Sequence, residues 1–358
     1  MKAVRMPPLS SLAVDVAAAL FRYTIGDVAA MSEEALLFQV DVGRFKDKLL
    51  AFAKRAIETA GRYFGLLGGG FATRYCGVKQ VQELAQSAAE DPEELIRHVS
   101  HLEVQATGSA LKIRWGFPPY IGAESAPPIV ASVEFMEGAK TWPAVQLVAH
   151  GSGKKKKVGE GYVREVEISC QVLGAIALGM GAAYVSGSQS PNVGAIRLLI
   201  PLTLVEYDVG SSFRAFLEGI RCDLPEHLLR LIAASYGEKP AVYKYVHLAY
   251  RGGKEVEKDK SYEILLDTAS LRGASLILRD YRSALKELAT RWCECERGRW
   301  VDEVCREVEA ASEAYRRLYL FLEGGFPDEA YKALSAAVRL KQLAAPRDAL
   351  IEIAERTI

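Results

Sequence analysis

The sequence of 358 residues has no excess of charge of either sign, because 45 basic side chains balance 45 acidic ones. This neutrality excludes a free-standing, strongly basic nucleic-acid binder, so any electrostatic binding surface must be a local patch. Half of the residues are hydrophobic and a quarter are charged, which also excludes wholesale disorder. The length suggests two domains, or one large domain with an appendage.

The sequence also lacks the motifs of familiar catalytic sites. Its five histidines belong to no recognisable triad, and neither a GxSxG elbow nor a Cys/His signature is present. There is no Walker pair, no HD dyad and no cluster of aspartates suited to two-metal nuclease chemistry. Glu33-Glu34 and Glu93-Glu94 lie at predicted helix starts, where acids stabilise the helix dipole. We therefore predict no enzymatic activity and no cofactor.

The six cysteines are scattered, and their spacing does not match a zinc knuckle, which needs two closely spaced pairs. Cys293 and Cys295, with Cys305 ten residues on, are the nearest approach to a metal site. On a helix the first two would point to different faces. We predict that the chain binds no metal. We also predict that its cysteines are buried thiols, which a reducing cytosol keeps free. Asp15 interrupts the apolar N-terminal segment, so we expect a cytoplasmic helix there and not a signal peptide.

The longest apolar run extends from Ile168 to about Tyr184. A helix that is apolar on every side lies inside a protein or inside a membrane, and a bilayer span needs about 20 apolar residues. This run is shorter and begins with polar residues. We predict a buried central helix, packed at close range through small residues such as Ala177 and Gly181, and no membrane span. A polar turn then leads into a strand from Ala195 to Tyr207.

The periodicity of the apolar residues predicts an α+β fold. Residues 9–38 are predicted to be helical with a break near Gly26, and strands alternate with the central helix up to Tyr207. Val242 to Tyr250 alternates as a strand does, whereas the chain from Ser261 onward is predicted to be nearly all helix. We therefore predict a mixed helical and β-sheet N-terminal and central domain over 1–260. A C-terminal helical bundle would occupy 261–358.

Two groups of cations are candidate phosphate contacts. A glycine-flanked loop carries four consecutive lysines, Lys154, Lys155, Lys156 and Lys157. A cationic loop that meets phosphates releases counterions, which gives affinity without sequence preference. Arg251 and Lys254 flank two glycines at a predicted hairpin tip and are a second candidate. The alternative for each group is an ordinary solvated loop.

Polar and aromatic residues near these cations are candidates for base recognition. Gln189 and Asn192 lie in the polar turn after the central helix, where their amides either read a base edge or simply form the turn. Tyr243, Tyr245 and Tyr250 either stack on bases or pack within the strand. Periodicity alone leaves both alternatives open.

The organisation of the chain resembles one family. A glycine-rich helix, LGAIALGMGAAYVSG, precedes a strand that ends in RLLIPLTLVEYD, cationic loops flank this unit, and a helical region follows. In these features and in length the chain resembles the large subunit of the archaeal type I-A CRISPR Cascade complex, the Csa-four or Cas-eight-a family. The resemblance implies an RNA-guided antiviral defence system. Its large subunit helps recognise the target-flanking motif and bind target DNA. The abundance of charged residues, with dense mixed charge on predicted helices such as 286–317, is in addition typical of a thermophile.

The resemblance also implies partners. They are the backbone and small subunits of the complex, the guide RNA, the target DNA and a separate helicase-nuclease. By this interpretation Lys154 to Lys157, Arg251 and Lys254 hold DNA phosphates, and Gln189 and Asn192 read the flanking motif. Base pairing with the guide would carry most of the sequence specificity.

Two other classes of function remain open. One is an enzyme that acts on nucleotides through the turn GLLGGGFATR and Arg74, although this turn has neither GxGxxG nor Gly-Lys-Ser/Thr spacing. The other is a purely structural assembly subunit that contacts only protein.

Overall fold

The structure of the chain is a computed structural model that describes part of its length. The described residues are 2–4, 12–24, 28–31, 36–38, 41–66, 78–100, 133–136, 162–165, 170–187, 193–203, 207–237, 241–251, 255–256, 260–269, 271, 273–298 and 303–358.

Twelve helices and ten strands are formed by these residues. The helices are α1 Leu12–Thr24, α2 Val42–Leu66, α3 Val78–Glu90, α4 Pro92–Ser100, α5 Cys170–Ala183, α6 Tyr207–Gly219, α7 Glu226–Ser235, α8 Ala274–Asp280, α9 Arg282–Gly298, α10 Glu303–Gly324, α11 Pro327–Ala337 and α12 Ala344–Thr357. The strands are β1 Lys2–Val4, β2 Val28–Met31, β3 Leu36–Phe38, β4 Val133–Met136, β5 Tyr162–Glu165, β6 Tyr184–Gly187, β7 Val193–Pro201, β8 Val242–Arg251, β9 Glu255–Val256 and β10 Tyr262–Asp267.

The strands form three sheets. The largest is antiparallel, with the order β10-β8-β7-β6, and β9 pairs with β8 outside this path. A three-stranded sheet has the order β1-β3-β2, and β4 pairs with β5 in an antiparallel hairpin. The predicted α+β class with a helical C-terminal region is confirmed.

The chain divides into two compact units that interleave along the sequence. Unit one comprises Met1–Tyr184, Gln189–Ile200 and Val246–Tyr262. Unit two comprises Val185–Ser188, Pro201–Tyr245 and Glu263–Ile358.

Helix α5 is the centre of unit one. Every residue from Gly174 to Ala183 is buried, and α1, α2, α3 and α4 all pack against this helix. A Cβ atom on Gly179 would lie 2.6 Å from the carbonyl carbon of Val16, and one on Gly181 would collide with the backbone oxygen of Phe52. Real Cβ atoms do not approach a backbone this closely. The predicted buried helix, packed at close range through small residues, is confirmed.

The described helices include none that is both long enough and apolar enough to cross a bilayer. Helix α5 has only 14 residues, whereas a span needs about 20. Its apolar surface is instead covered by the other helices of unit one.

The prediction that residues 9–38 are helical is wrong after Thr24. Helix α1 ends there, and the chain continues into β2 and β3, which pair with register Val28↔Phe38 and Met31↔Leu36. Runs of three or four apolar residues are too short to show a helical or a strand period. Pairing with β1, where Lys2 lies opposite Phe38, determines their conformation instead.

The prediction that the chain is nearly all helix from Ser261 is also wrong at its start, because β10 occupies Tyr262–Asp267. Its side chains alternate between exposed Glu263 and Leu265 and buried Ile264 and Leu266. This period of two is that of a strand with one covered face. The helices of the C-terminal region begin only at Ala274.

Unit two is cross-linked by disulfides at α9. Cys293 bonds to Cys222, which lies between α6 and α7, and Cys295 bonds to Cys305 on α10. The prediction of free thiols is therefore wrong for these four cysteines, although all four are buried as expected. Two residues that point to different faces of one helix cannot share a metal, but each can reach a separate partner across its own face.

Candidate nucleic-acid interface

The predicted hairpin that carries Arg251 is present. Strands β8 and β9 pair in antiparallel register, with Tyr250 opposite Val256 and Arg251 opposite Glu255. Arg251 is the last residue of β8, so its backbone is held in the ladder immediately before the predicted glycine tip. Lys254 and the two glycines lie outside the described residues.

The strand leading to this tip is firmly embedded. Tyr243 and Tyr245 are 1% and 3% exposed, and the ring of Tyr243 packs edge-on against Phe213, with centroids 5.6 Å apart. Both rings therefore pack in the core, and the alternative that they stack on bases is wrong. The side chain of Tyr250 lies outside the described part of the chain, so its two alternatives stay open.

Near the hairpin, β8 is joined to the start of β10 by specific contacts. His247 stacks on Tyr262 with ring centroids 4.9 Å apart and an interplanar angle of 5°. The backbone N–H of Ala249 donates a hydrogen bond of 3.0 Å to the hydroxyl of Ser261. Lys260, immediately before this contact, is exposed. The arrangement places a cation beside a rigid hairpin base, which suits contact with a phosphate backbone.

The remaining predicted site residues cannot be placed. Lys154, Lys155, Lys156 and Lys157, together with Gln189 and Asn192, lie outside the described residues, as does the turn with Arg74. Because β6 ends at Gly187 and β7 begins at Val193, Gln189 and Asn192 belong to the connection between these strands. Their proposed roles remain predictions.

Two cations on α9 form a cluster that no sequence motif indicates. The guanidinium of Arg282 lies 4.3 Å from the ring centroid of Tyr236, and the ammonium of Lys286 lies 5.3 Å from it. Lys286 also lies 5.5 Å from the ring of Phe216, and Arg282 donates hydrogen bonds of 3.0 and 2.6 Å to the carbonyl of Ser235. These contacts hold α9 against α6 and α7, so the cluster is structural. Its only sequence signal was the i, i+4 spacing of the two cations.

A histidine and a serine also meet in unit two. Nε2 of His227 lies 3.1 Å from Oγ of Ser312, and burial lowers the pKa of His227 to about 4. The ring is therefore neutral at physiological pH. Ser312 is only 3% exposed, so its hydroxyl is out of reach of a substrate in solution. The pair joins α7 to α10 and is unsuited to nucleophilic catalysis.

Metal binding finds no support in the described part of the chain. No three His, Cys, Asp or Glu side chains there lie close enough together to hold an ion. The cysteines that came nearest to a metal spacing, Cys293, Cys295 and Cys305, are bonded to sulfur and have no thiolate to offer.

The sequence matches no protein-family model and no curated protein.

Proposed function

We propose that the chain is a non-catalytic large subunit of an RNA-guided CRISPR interference complex of the type I-A Cascade class. In this role it helps recognise the motif that flanks the target and binds the target DNA. Base pairing with the guide RNA selects the target, and the protein reads only the short flanking motif and the backbone.

The observation that carries the proposal is the hairpin of β8 and β9. Its strand is buried and its base is fixed by stacked rings, yet it ends in Arg251 immediately before two glycines and Lys254. A rigid strand that ends at a cationic, glycine-containing tip suits a phosphate contact, because glycine permits close approach of the backbone. The lysine loop at 154–157 would add a second contact of the same kind.

The partners follow from the same resemblance. The chain would bind the backbone and small subunits, the guide RNA and the target DNA, and would present the opened DNA to a helicase-nuclease. The balanced charge of the chain fits this role, because surface committed to protein neighbours needs no excess of cations.

We place the protein in the cytoplasm of a thermophilic archaeon. The disulfides of unit two bear on this point, because most cytosolic proteins keep their cysteines reduced. Hyperthermophiles are the exception, since their intracellular proteins are rich in disulfides. The cross-links are thus compatible with a cytoplasmic protein of such an organism.

The test is a salt titration of binding to duplex DNA by the wild-type chain and by a variant with Lys154 to Lys157 changed to glutamate. Each phosphate contact contributes about −0.9 to the slope of log K against log salt for duplex DNA. We expect weaker binding by the variant and a shallower slope, by up to about 0.9 for each lysine that contacts a phosphate. Arg251→Gln should make the slope shallower by about 0.9, the contribution of one phosphate contact.

The matched control changes four exposed cations on helices to glutamate, which alters net charge equally. These are Lys46, Lys54, Arg297 and Arg306. If the control and the lysine-loop variant lose affinity to the same extent, only net charge matters and the assigned contacts are wrong. If the isolated chain binds no duplex at low salt, the same variants are compared in the complex purified with its partners. Unchanged DNA binding there would favour a purely structural subunit.

A further inference from the structure

Helix α11 has its small side chains inside and its large ones outside. Ala330, Ala333 and Ala337 are fully buried, and the helix packs against α10 and α12. Tyr331 and Val338, by contrast, are 60% and 75% exposed. A surface helix ordinarily turns its large apolar residues inward. The reversed pattern indicates that the outer face of α11 serves contact with another surface.

The outer face is a continuous apolar stripe. Tyr331, Leu334 and Val338 follow one another at i, i+3 and i+7, so they lie on one side of the helix. Phe326, immediately before the helix, is 61% exposed. The rotation of α11 about its axis is fixed, because Arg317 of α10 donates a hydrogen bond of 2.9 Å to the carboxylate of Glu329. The stripe therefore faces outward in a defined orientation.

Charges of opposite sign lie at the two ends of this stripe. Asp328 is exposed in the first turn of α11, whereas Arg339 and Lys341 are exposed just beyond its last turn. Within the described part of the chain, none of these three side chains forms an ion pair. An acidic end, an apolar middle and a basic end make a surface that complements itself when two copies lie antiparallel.

We propose that the outer face of α11 is an isologous contact between two copies of this chain. A two-fold axis between Leu334 and Ser335 brings Tyr331 opposite Val338 of the second copy. The same axis brings the acidic end of the stripe, at Asp328, towards the basic end, at Arg339 and Lys341, of the second copy. Ser335, small and exposed, lies at the centre, where the two helices come closest. The proposal does not rest on the proposed function.

The expected dimer is weak. A stable interface buries about 800 Å² on each partner, more than one face of an 11-residue helix can offer. The association should therefore depend on concentration in the micromolar range. It should also weaken with added salt, because its charged pairs lie at the rim.

The test is sedimentation velocity of the full, oxidised chain between about 1 and 200 µM, a range set by the affinity expected of such an interface. We expect a monomer–dimer equilibrium, and a loss of affinity of at least tenfold in the double variant Tyr331→Ser, Val338→Ser. The matched control is Leu276→Ser on α8, which removes an apolar side chain that is also 60% exposed. The control should dimerise like the wild type, and all variants should unfold at similar temperatures. A monomer at every concentration, or a dimer that the double variant leaves intact, would overturn the proposal.

A charge exchange tests the antiparallel register. Lys341→Glu should weaken the dimer several-fold, because it places an acid at the end of the stripe that meets the Asp328 end of the second copy. Adding Asp328→Lys to this variant should restore the affinity, since the pair then has the reversed signs. A partner of different chemistry would not be rescued by the second substitution, and a failure of rescue would contradict the two-fold arrangement.

Discussion

In the described residues, α5 of unit one and α9 of unit two are joined to their neighbours by different kinds of contact. In unit one, α5 approaches its neighbours so closely that Gly179 and Gly181 leave no room for a single added carbon. In unit two, α9 is joined to its surroundings by two disulfides and by cations that lie over aromatic rings. One added carbon should therefore disturb the packing around α5, whereas the cross-links of α9 depend on oxidation of the cysteines.

The largest expected effect comes from adding a side-chain carbon where α5 meets the backbone of its neighbours in unit one. Gly179→Ala and Gly181→Ala should each lower the free energy of unfolding by about 3 kcal/mol or more, because the new Cβ meets backbone that cannot move aside alone. Urea denaturation followed by circular dichroism measures this loss.

Two further glycines provide a graded control. A Cβ on Gly174 meets only the tip of the Leu84 side chain, at 2.9 Å, so Gly174→Ala should cost less. Gly298 has nothing within 4 Å of a new Cβ, and Gly298→Ala should change stability by about 0.5 kcal/mol or less in either direction. Equal losses at all four positions would show that the close approach is not what matters.

An effect of comparable size comes from opening the cross-links in unit two. Cys222 and Cys293 are 71 residues apart, whereas Cys295 and Cys305 are 10 apart. In the chain-entropy model the longer loop contributes about 4 kcal/mol and the shorter one about 3 kcal/mol. Replacing each pair by alanines should therefore destabilise the chain, and the Cys222–Cys293 pair should cost more. Thermal unfolding of the two variants, prepared without reductant, gives the comparison.

A chain whose stability is unchanged by either replacement would contradict this role of the disulfides. Alkylation of the intact, unfolded protein followed by mass measurement is the accompanying control. It should show all four cysteines protected in the wild type and only one pair protected in each variant.

The smallest effect concerns the pH dependence of unit two. Burial lowers the pKa of His227 to about 4, whereas the ring titrates near 6.5 in an unfolded chain. As the pH falls from about 6.5 towards 4, the unfolded chain binds a proton that the folded chain does not. The stability present above pH 6.5 is therefore progressively lost, by about 3 kcal/mol at most.

His227→Gln removes this titration and keeps a polar group near Ser312. Its free energy of unfolding should fall less than that of the wild type between pH 6.5 and 4, as measured by urea titrations at several pH values. If the free energies of unfolding of the two proteins fall in parallel as the pH is lowered, the buried ring does not contribute to the pH dependence of stability.

The elements that could be predicted from the sequence are those with a clear local pattern of apolar and polar residues. Helix α5, apolar and rich in small residues, was recognised as buried, and the alternation of β8 was recognised as a strand. Short segments such as β2 and β3 were missed, because their conformation depends on pairing with a distant strand and not on local period. The disulfides were missed because Cys222 is 71 residues from its partner, and sequence spacing does not give spatial proximity.

The candidate site was predictable only in part. The hairpin at Arg251 follows from strand alternation and glycines, and it is confirmed as paired strands. Whether Tyr243 and Tyr245 face solvent or core could not be read from alternation, because β8 has buried residues on both of its faces. The cluster of Arg282, Lys286 and Tyr236 joins elements that are far apart in sequence, so no local sequence pattern predicts it.

Hydrogen exchange tests the contrast between the two units most directly. The variant with Cys222, Cys293, Cys295 and Cys305 all changed to alanine should lose protection in α7, α9 and α10, while α1 and α5 keep theirs. Gly181→Ala should show the reverse, with faster exchange in α1, α2 and α5. Loss of protection across both units in either variant would contradict the account that each core is held by its own means.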